Sequence, residues 1–90
     1  MKNDRDMKNK RAAMIIEKYI SLVDKIANKH KTPRIKFDNL KSVGVVGLIK
    51  VANTPLPQKG IDEYIYNYIE EEIVNFLNHV VQETHYGLPN

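Results

Sequence analysis

The segment FDNLKSVGVVGLIKVA, residues 37–52, decides the fold of this chain because it fits both a helix and a strand. A helical stripe would collect Leu40, Val43, Gly44, Gly47, Leu48 and Val51. Strand alternation would instead collect Val43, Val45, Ile49 and Val51, and valine favours strands. We interpret the segment as a helix because Asp38 or Asn39 can cap its start.

Gly44 and Gly47 interrupt this helix, and an interior glycine costs a helix roughly 1 kcal/mol relative to alanine. A glycine loop that holds a phosphate backbone, as in KH domains, is one explanation. KH domains carry basic or polar residues between the glycines, however, where this chain has Val45 and Val46. A P-loop is excluded because Gly47 is not followed by Lys-Ser or Lys-Thr. The glycines therefore predict a helix that lies too close to a neighbour for side chains to fit.

Residues 5–30, before this segment, have the pattern of a long amphipathic helix. Asn3 or Asp4 can cap its start. Its apolar positions recur at three- and four-residue steps, at Ile15, Ile16, Tyr19, Leu22, Val23 and Ile26. The helix is predicted to end in KHKTPR, residues 29–34, because Pro33 has no amide hydrogen to donate and restricts the residue before it.

The segment NTPLPQKG, residues 53–60, is predicted to be a loop because two prolines and a glycine break the chain there. A third helix follows, with Asp62 as its expected cap. Its stripe consists of Ile65, Tyr68, Ile69, Ile73, Phe76, Leu77 and Val80. THYGLPN, residues 84–90, is predicted to stop it.

These elements predict an all-α fold, a compact three- to four-helix bundle. We expect a single domain over residues 1–90, with a charged N-terminal extension over about residues 1–10. No cysteine is present, and no apolar run approaches the roughly 18 residues of a membrane span. The chain is therefore expected in the cytoplasm, without a membrane partner.

The net charge of +3 hides a division between the two parts of the chain. Residues 1–59 hold 14 basic and five acidic residues, a net charge of +9, whereas residues 60–90 hold six acidic and no basic residues, a net charge of −6. A basic half is suited to nucleic acid and an acidic half to a cationic partner. The two halves can also simply attract each other.

The sequence shows no constellation typical of an enzyme or a metal site. Metal-ligand spacing is absent among the three histidines, His30, His79 and His85. The glutamates at 70–72 are adjacent, so on a helix they point about 100° apart and predict a solvated face instead of an acid/base pair. We expect no enzymatic activity, no cofactor and no metal.

Basic and aromatic residues are the candidates for nucleic-acid contact. The first predicted turn carries four cations, Lys29, Lys31, Arg34 and Lys36. Tyr64 and Tyr66 are candidates to stack on unpaired bases, which contributes about 1–3 kcal/mol per base. Tyr68 lies on the apolar stripe and is expected in the core.

Taken together, LVDKIANKH at residues 22–30, FDNLKSVGVVGLIKVA at 37–52, a loop ending in Lys-Gly and a last amphipathic helix resemble region 2 of sigma-70 family sigma factors. That region usually reads L-V-x-x-I-A-x-x-Y, then D-L-x-Q-E-G-x-x-G-L-x-x-A, then a helix with F-x-x-Y-A. YGLP at residues 86–89 resembles the I-R-I-P that follows. The likeness covers roughly residues 16–89.

In that family the second helix docks on the coiled coil of the largest subunit of core RNA polymerase. The resemblance therefore implies a polymerase-binding segment at Asp38, Asn39, Leu40, Lys41, Ser42 and Val43. Asn39 and Leu40 stand at the family's Asp-Leu positions. Ser42 and Val43 replace its usual Gln-Glu, so two residues that help to grip polymerase are absent.

The third helix of the family reads and melts the promoter −10 element. By the resemblance, Asn75 and Asn78 stand at base-reading positions, while Glu71 and Glu72 replace two tryptophans that flank the melted base. Duplex DNA carries a phosphate charge about every 1.7 Å, so it would repel a helix with several carboxylates and no Lys or Arg. The melting surface is therefore expected to be inactive.

Two functions remain open. The first is a sigma-like transcription factor that binds core RNA polymerase and meets promoter DNA with its basic half. Because no second domain reads a −35 element, we expect half of a split sigma factor, with a second chain carrying the missing regions, or a phage or mobile-element factor. The second is a sigma-like interaction module that does not melt DNA, and that binds a protein partner or blocks a sigma site.

Overall fold

Three α-helices make up the computed structural model, which describes residues 4–87, with side chains at residue 7 and residues 9–80. α1 comprises Asp4–His30, α2 comprises Phe37–Ala52 and α3 comprises Ile61–Gly87. No strand occurs among residues 4–87. The predicted all-α bundle is confirmed, with three helices, and residues 37–52 are helical as predicted.

The helices run up, down and up. Gly44 of α2 faces Ile73 of α3, and Gly47 faces Ile69, so α2 and α3 are antiparallel. Contacts between Tyr19 and Asp62 and between Lys29 and Glu70 show that α1 and α3 run in the same direction. α2 packs against both neighbours, whereas α1 and α3 meet over a smaller area.

The core contains aliphatic side chains from all three helices. Nine of them have no solvent exposure, namely Val23, Ile26, Ala27, Leu40, Leu48, Val51, Ile65, Ile69 and Ile73. All of them except Ala27 were on a predicted stripe. Tyr68 is half-buried and packs against this core, as expected from its place on the third stripe.

Both glycines of α2 lie where another helix comes closest. A Cβ atom at Gly44 would lie 2.7 Å from Cγ1 of Val23 on α1 and 3.3 Å from Cδ1 of Ile73 on α3. A Cβ atom at Gly47 would lie 2.9 Å from Cγ of Glu72. No side chain fits at these distances, so the prediction of close helix packing is confirmed.

The predicted helix caps were wrong for α2 and α3. α2 begins at Phe37, one residue before Asp38, and its cap position is Lys36, whose side chain makes no capping hydrogen bond. α3 begins at Ile61, so Asp62 lies inside the first turn. There its carboxylate accepts a hydrogen bond from the Tyr19 hydroxyl.

The predicted ends of the helices were more accurate. α1 ends at His30, before Pro33, and the loop between α2 and α3 covers residues 53–60 as expected. α3 is helical to Gly87, which lies within the segment 84–90 that was predicted to stop it, and residues 88–90 lie outside the described part. α1 starts at Asp4, so residues 4–10 of the predicted extension are helical. The alternative cap Asn3 also lies outside the described residues.

Candidate functional site

The predicted polymerase-binding segment contains both exposed and buried residues. Asp38, Asn39 and Ser42 are exposed on α2. Leu40 is fully buried in the core, so the prediction that it contacts a partner is corrected. Leu40 lies four residues before Gly44 and therefore on the same face of α2, the face that packs against α1 and α3.

The remaining two members of this segment are engaged inside the bundle. Val43 is half-buried and packs against the core. The Lys41 ammonium lies 3.3 Å from Oδ1 of Asp24 on α1. These contacts leave Asp38, Asn39 and Ser42 as the predicted residues that are available to a partner.

Two exposed aliphatic residues on α2 were missed as site candidates. Val46 keeps 47% of its surface exposed and Ile49 keeps 44%. They lie opposite the buried stripe, on a face whose members follow one another at steps of three, four, three and four residues. We call this the α2 outward face and define it as Asn39, Ser42, Val46, Ile49 and Asn53. The spacing was visible in the sequence.

The turn between α1 and α2 is basic. Lys31, Arg34 and Lys36, which we call the basic turn, are exposed. Thr32 and Ile35 hold this turn together, since each backbone N–H donates to the other's carbonyl at 3.3 and 3.2 Å. Within the described part of the chain, no carboxylate forms an ion pair with any of these three cations.

Lys29, the fourth predicted cation, is neutralised within the molecule. Its ammonium lies 2.7 Å from Oε2 of Glu70 and also donates to the Tyr66 hydroxyl at 3.3 Å. Nε2 of His30 lies 3.3 Å from the same Glu70 oxygen. Lys29 therefore differs from the basic turn, and its contact with nucleic acid stays a prediction.

These contacts change the acid–base properties of the pair. The hydrogen bond from Lys29 lowers the pKa of Glu70, with a smaller contribution from His30. The hydrogen bonds to Glu70 and Tyr66 raise the pKa of Lys29. Both shifts favour the charged forms, as expected for an ion pair at a partly exposed position.

A second ion pair links α2 to α3. The Lys50 ammonium lies 3.3 Å from Oε1 of Glu72, whose methylene groups pack over Gly47. The predicted solvated face at residues 70–72 is therefore corrected, because Glu70 and Glu72 are paired and only Glu71 is exposed. The interpretation that the basic and acidic halves attract each other is confirmed by these contacts.

The two tyrosines predicted to stack on bases lie on different faces of α3. Tyr66 points towards α1, where the Lys29 ammonium is 5.7 Å from its ring centroid. Tyr64 is 38% exposed and packs against Tyr68, with ring centroids 6.4 Å apart. Side chains two residues apart on a helix diverge by about 200°. The two rings therefore do not share one surface, and the stacking of either on a base stays a prediction.

Asn75 and Asn78 are exposed on α3. Asn75 lines a shallow hollow of about 150 Å³ together with Tyr68, Glu71 and Glu72. This hollow has no cation in its lining. The structure therefore places Asn75, one of the two predicted base-reading residues, beside carboxylates.

Tyr19 connects α1 to the start of α3. Its ring is buried, and its hydroxyl donates to Oδ1 of Asp62. This hydrogen bond, with burial as a second cause, raises the pKa of Tyr19 to about 12.

This shift predicts how alkaline pH affects stability. The unfolded tyrosine ionises near its ordinary pKa of 10.0, whereas the folded protein keeps the proton until about 12. The stabilisation is therefore complete below pH 10 and lost as the pH rises to about 12. In urea denaturation across this range, the wild-type protein is expected to lose more stability than Tyr19→Phe. Parallel losses would contradict the prediction, because all other titrating groups are shared.

Two further properties concern the described residues as a whole. No helix among them is both long and apolar enough to cross a membrane. Among the side chains that the structure describes, no group of three or more His, Asp or Glu residues could hold a metal ion.

The sequence matches no model of a known protein family, and no solved structure matches the chain. The likeness to sigma-factor region 2 therefore rests on the residues quoted above.

Proposed function

We propose that this protein is a sigma-like transcription factor that docks through α2 on the coiled coil of the largest subunit of core RNA polymerase. In this proposal its basic amino-terminal half meets promoter DNA. Support comes from the resemblance of residues 37–52 to the polymerase-binding helix of sigma factors and from the geometry of the α2 outward face.

The α2 outward face is the observation that carries the proposal. Its five residues recur with the average spacing of 3.5 residues that lets one helix pack along another in a coiled coil. The centre is aliphatic, with Val46 and Ile49 nearly half exposed, and both ends are polar. Neither α1 nor α3 covers this side, so a helix of another protein has access to it.

The size of this face limits the affinity that it can supply. Full burial of a valine or isoleucine contributes about 1.5–3 kcal/mol, so completing the burial of two half-exposed ones contributes about 1.5–3 kcal/mol in total. Association must also offset lost translational and rotational freedom. We therefore expect α2 to bind weakly alone and to need polar contacts from Asp38, Asn39 and Ser42.

The proposal is tested by pull-down of core RNA polymerase with the purified tagged protein, with and without nuclease. V46D/I49D is expected to reduce polymerase recovery at least tenfold, because each carboxylate would be desolvated in an apolar contact. The matched control is M7D/M14D, which places the same two charges at residues of α1 that are 62% and 70% exposed.

Circular dichroism would establish that all variants fold. Unchanged recovery with folded V46D/I49D would remove α2 from the mechanism. Recovery of polymerase that disappears with nuclease would mean that nucleic acid, and not α2, connects the two.

The second candidate function is a sigma-like module that binds a protein without melting DNA. It is favoured by the absence of any Lys or Arg in residues 60–90 and by the exposed Glu71 beside Asn75. Part of this acidic surface is already used, because Glu70 and Glu72 pair with Lys29 and Lys50. Binding of promoter DNA in the presence of core polymerase separates the two functions, since only the first predicts that the basic half holds DNA in the complex.

A further inference from the structure

The outer side of α1 carries a line of cations. Arg11, Lys18 and Lys25, which we call the α1 ridge, are exposed and separated by seven residues each. Seven residues are nearly two full turns, so the three side chains project from the same side at intervals of about 10 Å. The ridge therefore extends over about 20 Å and leads to the basic turn at the end of α1.

The charges of the ridge and the basic turn are not neutralised within the described part of the molecule. Lys29, Lys41 and Lys50 each pair with a carboxylate, whereas the six cations of the ridge and turn have no ion pair there. Lys18 instead lies over the Tyr19 ring, 5.4 Å from its centroid. Unpaired, exposed cations are the ones that can neutralise phosphates.

Carboxylates border the ridge on both sides. Glu17 and Asp24 of α1 directly precede Lys18 and Lys25, and Asp24 pairs with Lys41. Asp62 and Glu63 of α3 share a hollow of about 430 Å³ with Lys18 and Lys25. Asp62 accepts the Tyr19 hydrogen bond, so it is already engaged. Glu63 lowers the positive electrostatic potential on the α3 side of the ridge, but it forms no ion pair with a ridge cation.

We propose that the α1 ridge and the basic turn together bind the phosphate backbone of duplex DNA without reading its sequence. The proposal rests on the proposed function in taking DNA as the ligand, and it names the residues of the basic half that make the contact. Cationic side chains in a row can contact successive phosphates of the backbone. They do not present the pattern of hydrogen-bond donors and acceptors that distinguishes one base from another.

The packing of α1 favours DNA over a membrane surface. An amphipathic helix binds a bilayer by inserting its apolar face. At the centre of the apolar face of α1, Val23 and Ile26 have no solvent exposure because α2 and α3 cover them. Insertion would therefore require the core to open, whereas phosphate binding leaves the core intact.

The test is fluorescence anisotropy of a labelled random-sequence duplex, titrated with the full chain at several salt concentrations. K18Q/K25Q and, separately, K31Q/R34Q/K36Q are expected to weaken binding roughly tenfold or more. Each lost phosphate contact is expected to reduce the slope of log K against log salt by about 0.9. The matched control is K41Q/K50Q, which removes two paired lysines and the same formal charge as K18Q/K25Q.

Three results would overturn the proposal. Equal losses with K41Q/K50Q and K18Q/K25Q would mean that net charge alone controls affinity. Unchanged binding by the folded ridge and turn variants would exclude this surface. Ridge-dependent binding to anionic vesicles without duplex binding would identify a membrane ligand.

V46D/I49D separates this proposal from the proposed function. The variant is expected to keep duplex binding while losing polymerase. Duplex binding that fails in the wild-type protein while polymerase is still recovered would overturn only the α1 proposal.

Discussion

Replacing Gly44 with valine is expected to lower the free energy of unfolding by about 3 kcal/mol or more. A Cβ atom alone would lie 2.7 Å from Cγ1 of Val23 and 3.3 Å from Cδ1 of Ile73, and both residues are fully buried. Val23 is β-branched and has few rotamers to which it can retreat. The roughly 1 kcal/mol by which glycine is the poorer helix former does not offset this overlap. Urea denaturation followed by circular dichroism measures the loss.

A matched substitution on the same helix separates overlap from helix propensity. Ser42→Val also introduces valine into α2, but at an exposed position, and is expected to change stability by about 0.5 kcal/mol or less. Val23→Ala should partly rescue Gly44→Ala, because it removes the atom that the new Cβ meets. Equal stabilities of Gly44→Val and Ser42→Val would show that α2 does not need glycine there.

Replacing Ile69 with alanine is expected to cost about 2–5 kcal/mol. Ile69 has no solvent exposure, and its atoms lie 3.6 Å from the Cβ positions of both Gly44 and Gly47. The cavity would form where α3 meets α2, and helices held by these contacts cannot easily move to fill it. A domain with a total stability of about 5–15 kcal/mol would lose a large share of it, measured as a lower urea midpoint.

Two comparisons give this prediction its scale. Ile69→Val removes one methyl group and is expected to cost about 0.5–1.5 kcal/mol. Ile20→Ala makes the same chemical change as Ile69→Ala at a residue that is 38% exposed, so its cost should be clearly smaller. If Ile20→Ala and Ile69→Ala cost the same, the position of the core described for α3 would be wrong.

The helices and the core were largely predictable because their pattern repeats. Several apolar residues at three- and four-residue steps support the same helix face, so an error at one position does not change the conclusion. The caps of α2 and α3 depended on single residues. At the start of α2, three neighbouring positions compete, and Lys36 takes the cap position although Asp38 and Asn39 are better capping residues. The preference of single residues for the cap position is therefore smaller than the packing energy that fixes where α2 begins.

The candidate site was less predictable, because the sequence shows charges without showing which of them meet. Lys29 and Lys31 are equivalent in the sequence, but α3 brings Glu70 to the first and leaves the second exposed. Tyr66 likewise contacts Lys29 only because α1 and α3 are parallel. Leu40 was a different case, since its place on the apolar stripe already indicated burial.

The charge division between the helices has a consequence for the order in which the chain folds. A hairpin of α1 and α2 alone belongs to a segment with a net charge of +9, and it would expose the core face that α3 covers. α3 supplies both the missing apolar surface and the carboxylates that pair with Lys29 and Lys50. The hairpin therefore has little stability before α3 arrives, and we expect the three helices to form in one cooperative step without a populated two-helix intermediate.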